Sequence, residues 1–254
     1  MDRLAFNAVA AISSQQLARQ SAVNDLANLS TPGFKRSFES ATRAVMADGA
    51  GLKTRAQPQA FFQDIISMKP GTPMSTGNDF DISMNDQTVL GVVAPDGTAA
   101  FTRRGDLRLN NAGALENGAR HLIRAEGGGS ITIPRGLIIT IRPDGTVSGR
   151  NPALGPNSAD VIVGKLLLRD ASKTPLGRTE QGLYQVDGKP PGTDITNGTI
   201  RTSVTAKMLE GSNVNALEAM IKLIDQSRSF EQQINMIKSS KSTDEAGTGM
   251  IKPS

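Results

Sequence analysis

Little in this chain can make or break bonds, and what can is scattered. His121 is the single histidine and cysteine is absent, so a nitrogen- or sulfur-ligated metal cluster, a disulfide and a thiolate nucleophile are all excluded. Asp79 and Asp81 can be read as an acid and base pair or as calcium ligands. The spaced oxygens of an EF-hand loop are lacking around them, and a solvated or capping role is favoured. Gly127, Gly128 and Gly129 precede an apolar run at 131–133, whereas a phosphate loop precedes a helix and ends in Lys-Ser or Lys-Thr. A turn leading into a strand is the better reading. No nucleophile, base and orienting group stand together, so the expectation is a non-enzyme with no catalytic, cofactor-binding or metal-binding residues.

The remaining chemistry is charge. With 28 Lys and Arg against 24 Asp and Glu, the net charge is +4. The bases gather at Lys35, Arg36, Arg43, Lys53 and Arg55 and again at Arg103, Arg104, Arg108, Arg120 and Arg124. Such clusters can contact phosphates. Aromatic residues for stacking single strands are scarce and a helix-turn-helix pattern is missing, which favours a solvated basic face and no nucleic-acid partner.

The elements that position these residues are announced by Gly and Pro. Residues 1–31 and 213–246 contain neither, although the chain holds 26 Gly and 13 Pro. Pro costs ~3 kcal/mol and Gly ~1 kcal/mol inside a helix, so both ends read as long helices. In the first, Ala5, Ala8, Val9, Ile12, Ala22, Val23 and Leu26 recur at helical spacing as a broad, weak stripe. Pro32 and Gly33 stop it near residues 28–30. In the second, Ser212 or Asn213 is the expected N-cap, and Val214, Leu217, Met220, Ile221, Ile224, Phe230, Ile234 and Ile237 form a strong apolar face. Neither helix can bury its stripe alone. Their length leads to the expectation that the two pair as a coiled coil outside the central domain.

Between them the chain reads as β. Short apolar runs at 89–94, 131–133, 138–141, 161–163 and 166–168 are punctuated by Asp-Gly at Asp96, Asp144 and Asp187, the favoured hairpin signal. A mainly β, hairpin-rich central domain, a sandwich or open barrel, is expected. The resulting division is an N-terminal helix and motif over 1–36, an extended arm or linker over 37–77, a β-rich domain over 78–205 and a C-terminal helix over 206–254.

The junction Leu26, Ala27, Asn28, Thr31, Pro32, Gly33, Phe34 and Lys35, with its Leu-Ala-Asn and Gly-Phe-Lys blocks, resembles the N-terminal signature of bacterial flagellar rod and hook proteins. Leu209, Glu210, Gly211, Ser212, Asn213, Val214 and Asn215 are similar to the segment that opens the C-terminal helix in the same family. Phe101 to Asp106, Asn111 to Gly113 and the run at 131–134 look like its β-domain segments. In the bottom-up reading, Asn28 tolerates a left-handed helix end, Pro32 and Gly33 turn the chain out of the helix, Phe34 docks as an apolar anchor and Gly211 permits a sharp bend.

The resemblance implies a structural axial component of the basal-body rod. Its terminal helices, with Leu217, Ile221, Ile224 and Ile234, would line an inner tube beneath an outer β layer. The stretch 84–92 lacks the Gly-Gln-Gly-Phe-Phe block of distal-rod members, so a proximal-rod member is expected, with the distal rod as alternative. Implied partners are copies of itself, neighbouring rod proteins and the flagellar export apparatus; implied cofactors are none. The expected location is a rod spanning the periplasm, reached without a cleaved signal peptide, and no integral membrane segment is expected. A cell-wall glycan-binding β module on a helical stalk is the competing class, weakened by the scarcity of aromatics. An enzyme acting on cell-wall polymer is the third, and it lacks a convincing carboxylate pair.

Overall fold

Asp-Gly pairs act where β-branched runs need a tight reversal. Gly97 (φ 82°) and Gly145 (φ 83°) take the left-handed conformation, and Asp96 and Asp144 accept hydrogen bonds from the backbone of Thr98 and Thr146 at 2.9 and 3.0 Å. The hairpins so closed join Thr88–Val93 to Ala99–Thr102 and Ile138–Ile141 to Thr146–Arg150, all antiparallel. Asp187 and Gly188 do not close the expected hairpin. They carry the chain from Tyr184–Val186 into a loop, because that strand is already paired with Leu176–Arg178 before it and Ala99–Thr102 beyond.

The computed structural model describes residues 2–37, 42–45, 48–49, 52–53, 57–60, 65–155, 158–196 and 198–251, and the chain divides into two units. The β unit holds residues 28–38 and 64–214. An eight-stranded antiparallel sheet runs Leu176–Arg178, Tyr184–Val186, Ala99–Thr102, Thr88–Val93, Leu122–Ile123, Leu115–Asn117, Leu107–Leu109, with Leu168–Asp170 also pairing with Thr88–Val93. A three-stranded sheet orders Ile138–Ile141, Thr146–Arg150 and Val161–Lys165.

Period-two patterning assigns faces. Ile139 and Ile141 are buried while Ile138 and Thr140 are exposed, so one face of the small sheet turns inward. That face joins Leu90, Val92, Leu115, Ile123 and Val147 in one apolar cluster. Val89, on the other face of its strand, packs in a second cluster with Phe101, Leu176 and Tyr184. Burial on both faces explains why 89–94 reads as a continuous apolar run rather than an alternating one. The mainly β centre is as expected.

The second unit comprises residues 1–27, 39–63 and 215–254. It contains α1 (Asp2–Ala27), α2 (Ala216–Ile251) and two antiparallel pairs, Thr42–Val45 with Gln57–Ala60 and Asp48–Gly49 with Leu52–Lys53. Over the stretch expected as an arm, residues 38–41, 46–47, 50–51, 54–56 and 61–64, Arg55 among them, lie outside the described residues. Residues 65–77 belong to the β unit, where Pro73–Ser75 pairs with Met208–Glu210.

The expected coiled coil is not formed: there is one helix at each end, and among the described residues the strongest apolar positions of α2 are not buried. The helices meet where Gln15 Nε2 donates to the Gln226 carbonyl at 2.7 Å. Ala22 and Ala219 are the buried apolar residues among the described helical positions. The strong stripe of α2 faces away, with Leu217 68 %, Ile221 51 % and Ile224 54 % exposed. A coiled coil buries large apolar knobs along its seam, and Leu217, Ile221 and Ile224 are more than half exposed. Neither described helix is long and apolar enough to cross a membrane.

The burial contrast gives a direct check. Leu115→Ala, at a fully buried position, is expected to cost ~2–5 kcal/mol in urea unfolding of the β unit. Ile162→Ala, at a position 66 % exposed, should stay within about 0.5 kcal/mol. Equal losses at the two positions would overturn this assignment of faces.

Candidate functional site

The two terminal motifs, 175 residues apart in sequence, meet inside the β unit. The turn after α1 is tied first: the Thr31 amide donates to the Asn28 carbonyl at 3.2 Å and the Phe34 amide to the Thr31 carbonyl at 3.3 Å. Asn28 does not take the left-handed conformation expected of it. Gly33 does, with φ 68°, and a Cβ there would sit 2.0 Å from the Arg103 carbonyl oxygen. That approach lets the Gly33 amide donate to the Glu210 carbonyl at 2.6 Å. Thus Gly33 breaks the helix and also lets two segments of the chain come together.

Lys35 then enters the interior. Its Nζ donates to Glu210 Oε1 at 2.6 Å and to the Lys69 carbonyl at 2.7 Å. The same carboxylate is held from the other side by Arg103, whose Nε donates to Glu210 Oε2 at 2.7 Å, and it accepts the Gly71 amide at 2.8 Å. Arg103 completes its set by donating to the carbonyls of Met84 at 2.6 Å, Asp86 at 2.6 Å and Thr88 at 3.0 Å. Lys35, Arg103 and Glu210 are respectively 0 %, 1 % and 4 % exposed. Charges so deep persist because they are paired and hydrogen-bonded.

Asn213 supplies a second clasp. Its Oδ1 accepts the Arg36 amide at 2.7 Å, its Nδ2 donates to the carbonyls of Ser67 at 2.9 Å and Lys69 at 3.2 Å, and its own amide donates to the Phe34 carbonyl at 3.2 Å. It is therefore not the helix cap that the sequence pointed to, and neither is Ser212, whose Oγ accepts the Val214 amide. Asn215 caps α2 instead, accepting the amides of Leu217 at 3.0 Å and Glu218 at 3.3 Å. Gly211 is buried and its amide donates to the Thr72 carbonyl at 2.8 Å; the tight spot is across from it, where a Cβ on Gly71 would lie 2.0 Å from the Gly211 oxygen. Phe34 is half-buried, with the Arg178 guanidinium 4.4 Å over its ring, while Arg178 also donates to the Lys35 carbonyl. Tyr184 Oη donates to the Gly33 carbonyl at 3.2 Å.

The other motif positions stand apart from this junction. Leu26 is half-buried and Ala27 exposed in the last turn of α1; Leu209, Ser212, Val214 and Pro32 are half-buried, and Asn215, Leu217, Ile221 and Ile224 are exposed, with Ile234 half-buried. Arg103, Arg178, Tyr184 and Gly71 were not anticipated. The available signal was one acid and one base, Glu210 and Lys35, placed in two motifs otherwise poor in charge. Arg103 was hidden within a basic cluster that the fold splits up: Arg104 forms a bidentate pair with Asp106 at 2.7 and 2.8 Å, Arg108 pairs with Glu116 at 2.9 Å, and Arg120 is exposed.

The candidate acids are likewise occupied: Asp79 pairs with Lys207 at 2.9 Å and Asp81 accepts from Asn78 Nδ2 at 3.1 Å. Gly128 and Gly129 form a turn between Ala125 and the run at 131–133. Burial, then the Arg104 charge, holds the His121 pKa below its ordinary value. Among the described residues no three His, Asp or Glu side chains cluster as a metal site would require.

Two cations sharing one carboxylate make the junction sensitive to alkali. Burial, then the Arg103 charge, lowers the Lys35 pKa from 10.5 to about 8 against the opposing pull of Glu210, and burial raises Tyr184 from 10.0 to about 12. Above pH about 8 the unfolded chain holds the Lys35 proton that the folded chain has released, so stability rises with pH towards about 10.5. Above pH about 10 the unfolded chain loses the Tyr184 proton that the folded chain keeps, so stability falls. Urea midpoints across this range should rise and then fall, with Lys35→Met removing the rise and Tyr184→Phe the fall; a flat wild-type profile would refute both assignments. Glu210→Gln, which leaves two buried cations facing each other, should cost ~3–5 kcal/mol. Lys35→Met leaves the Arg103–Glu210 pair intact and should cost clearly less; the reverse order would show that Glu210 does not organise the group.

Two family models match this chain: one described as the flagellar hook protein FlgE/F/G D1 domain over residues 87–149, and one described as the flagellar basal body rod FlgEFG protein C-terminal over residues 205–250. The chain is 34 % identical over 245 residues to the flagellar basal-body rod protein FlgF of Salmonella typhimurium, covering 94 % of each chain. It is equally similar, at 34 % over 94 % of each chain, to FlgF of Escherichia coli. Against the flagellar basal-body rod protein FlgG of Buchnera aphidicola it is 28 % identical, covering 87 % of this chain and 88 % of the relative. With likeness running through both motifs and the β unit between them, this chain belongs to the flagellar basal-body rod protein family.

Proposed function

We propose that this chain is a structural subunit of the proximal rod, built into the flagellar basal body by stacking with copies of itself and with neighbouring rod proteins, and that it passes torque along the axis. Membership of the rod family supports the rod assignment. The higher identity to FlgF, 34 % against 28 % to FlgG, favours a proximal position over a distal one. The observation that carries assembly is the stripe of α2: Leu217, Met220, Ile221 and Ile224 recur on one helical face, and each is at least half exposed. Burying such side chains is worth ~1.5–3 kcal/mol each, a gain that packing between chains supplies.

In this reading the β unit forms the outer layer and holds the leads of both helices at the Glu210 junction, while the motif residues from Leu26 to Lys35 and from Leu209 to Asn215 serve as its connectors. Leu217, Ile221, Ile224 and Ile234 supply the inner contacts. Delivery through the flagellum's own export apparatus into a rod that crosses the periplasm fits a subunit of this kind. The role asks for no catalysis, cofactor or nucleic acid.

Ile224→Asp is expected to abolish swimming and remove the chain from isolated basal bodies, because a charge on the packing face would have to be desolvated. Its β unit should melt as in wild type. Normal incorporation of this variant would overturn the assignment of the stripe. A labelled subunit found on the hook side of the distal-rod segment would overturn the proximal position.

A further inference from the structure

Asp-Gly is a turn signal and also a reactive pair. Glycine has no Cβ, so its amide nitrogen can approach the side-chain carbon of the aspartate before it. Of the four Asp-Gly pairs in this chain, Asp48-Gly49 lies in the second unit, and the β unit holds Asp96-Gly97, Asp144-Gly145 and Asp187-Gly188. The three glycines of the β unit share the left-handed conformation, at φ 82°, 83° and 68°. What separates the pairs is whether the two groups that would react are already occupied.

Asp96 accepts the Thr98 amide at 2.9 Å and the Thr98 hydroxyl at 2.7 Å, while the Gly97 amide donates to the Ala94 carbonyl at 2.9 Å. Asp144 accepts the Thr146 amide at 3.0 Å and the Thr146 hydroxyl at 2.8 Å, while the Gly145 amide donates to the Arg142 carbonyl at 2.9 Å. The same bonds hold both carboxyls below their ordinary pKa, so less of the reactive protonated form is present. Asp187-Gly188 differs on both counts. Its turn is closed by the Lys189 amide donating to the Val186 carbonyl at 3.3 Å, and among the described residues neither the Asp187 carboxylate nor the Gly188 amide has a hydrogen-bond partner.

We propose that Asp187 is a site of spontaneous isomerisation to isoaspartate, and that their turns protect Asp96 and Asp144 from the same reaction. The Gly188 amide nitrogen forms a bond to Asp187 Cγ and the C–OH bond of the protonated carboxyl breaks. The amide proton leaves with that hydroxyl as water, giving a cyclic imide. Water then adds to either ring carbonyl: opening on one side restores aspartate, and opening on the other leaves the main chain running through the former side chain. Solvent access alone gives the opposite order, since Asp96 and Asp144 are exposed and Asp187 is half-buried. Hydrogen bonding therefore decides it. Val186 pairs with Leu176 as the last rung of its ladder, so the added main-chain carbon falls in the loop beyond and the folded β unit can carry it.

The test ages purified full-length chain at mildly acidic pH, once folded and once in urea concentrated enough to unfold it. Isoaspartate at each position is then measured by peptide mapping with electron-transfer fragmentation, which separates the isomers by their main-chain cleavage. Deamidation at Asn117-Gly118 or Asn197-Gly198 changes mass and isomerisation does not, so the products are not confused. The expected result is several-fold more isoaspartate at Asp187 than at Asp96 or Asp144 in the folded chain, and similar amounts at all three in urea. Equal amounts in the folded chain, or more at Asp96 or Asp144, overturn the proposal. A preference for Asp187 that persists unchanged in urea also overturns it, because local sequence rather than the fold would then be the cause. Thr98→Val, which removes the hydroxyl donor and keeps the amide, should raise isoaspartate at Asp96 several-fold without changing Asp187; no rise would refute protection by that turn.

Discussion

One carboxylate organises this molecule. Glu210 is buried between the cations of Lys35 and Arg103 and also accepts the amide of Gly71, so four stretches of chain converge on a single side chain. Ion pairs at a protein surface contribute little, and buried ones are weak evidence of net stability because desolvation offsets attraction. What a buried set does enforce is dependence on the shared carboxylate: without Glu210, the two cations are left facing each other in the interior. The segment after α1, the segment before α2 and the β hairpin carrying Arg103 must therefore be in place together. The positive φ of Gly33 and the close approach at Gly71 follow from that requirement, since a side chain at either point would drive the backbones apart.

This constraint separates two kinds of stability within the chain. The β unit holds two buried apolar clusters and the buried ion triad. In the helical unit, Leu217, Ile221 and Ile224 of α2 are each more than half exposed. Helices gain most of their stability from tertiary packing rather than propensity, so a helix with these side chains uncovered gains from contacts outside it.

Much of this was legible in the sequence, for local reasons. Asp96-Gly97 and Asp144-Gly145 announce hairpins because a left-handed residue and a neighbouring side-chain acceptor are properties of four or five consecutive residues. Helix bounds were legible for the same reason: absence of Gly and Pro and the Pro32 stop are local. The failures are all non-local. Asp187-Gly188 carries the same signal, yet its strand already had partners on both sides. Asn213 looks like a cap, but Arg36, Ser67 and Lys69 recruit it and Asn215 takes the capping role. Helical periodicity showed that α2 has an apolar face without showing whether α1 covers it, and the expectation of a coiled coil failed there.

The same distinction explains why the junction of the two motifs could be located before it could be described. The two motifs were recognisable as a matched pair, yet nothing within either one says that Lys35 and Glu210 share an ion pair completed by Arg103. In sequence Arg103 stands beside Arg104 and looks like its equivalent. The fold gives them opposite fates: Arg104 pairs with Asp106 at a partly exposed site, while Arg103 is buried with its guanidinium divided between one carboxylate and three carbonyls. Only the planar, multi-donor geometry of guanidinium can serve that many acceptors at once, and a lysine there would leave carbonyls unpaired. The residue that binds the two ends to the centre therefore belongs to neither end, so the helical leads depend on a side chain that the β unit supplies.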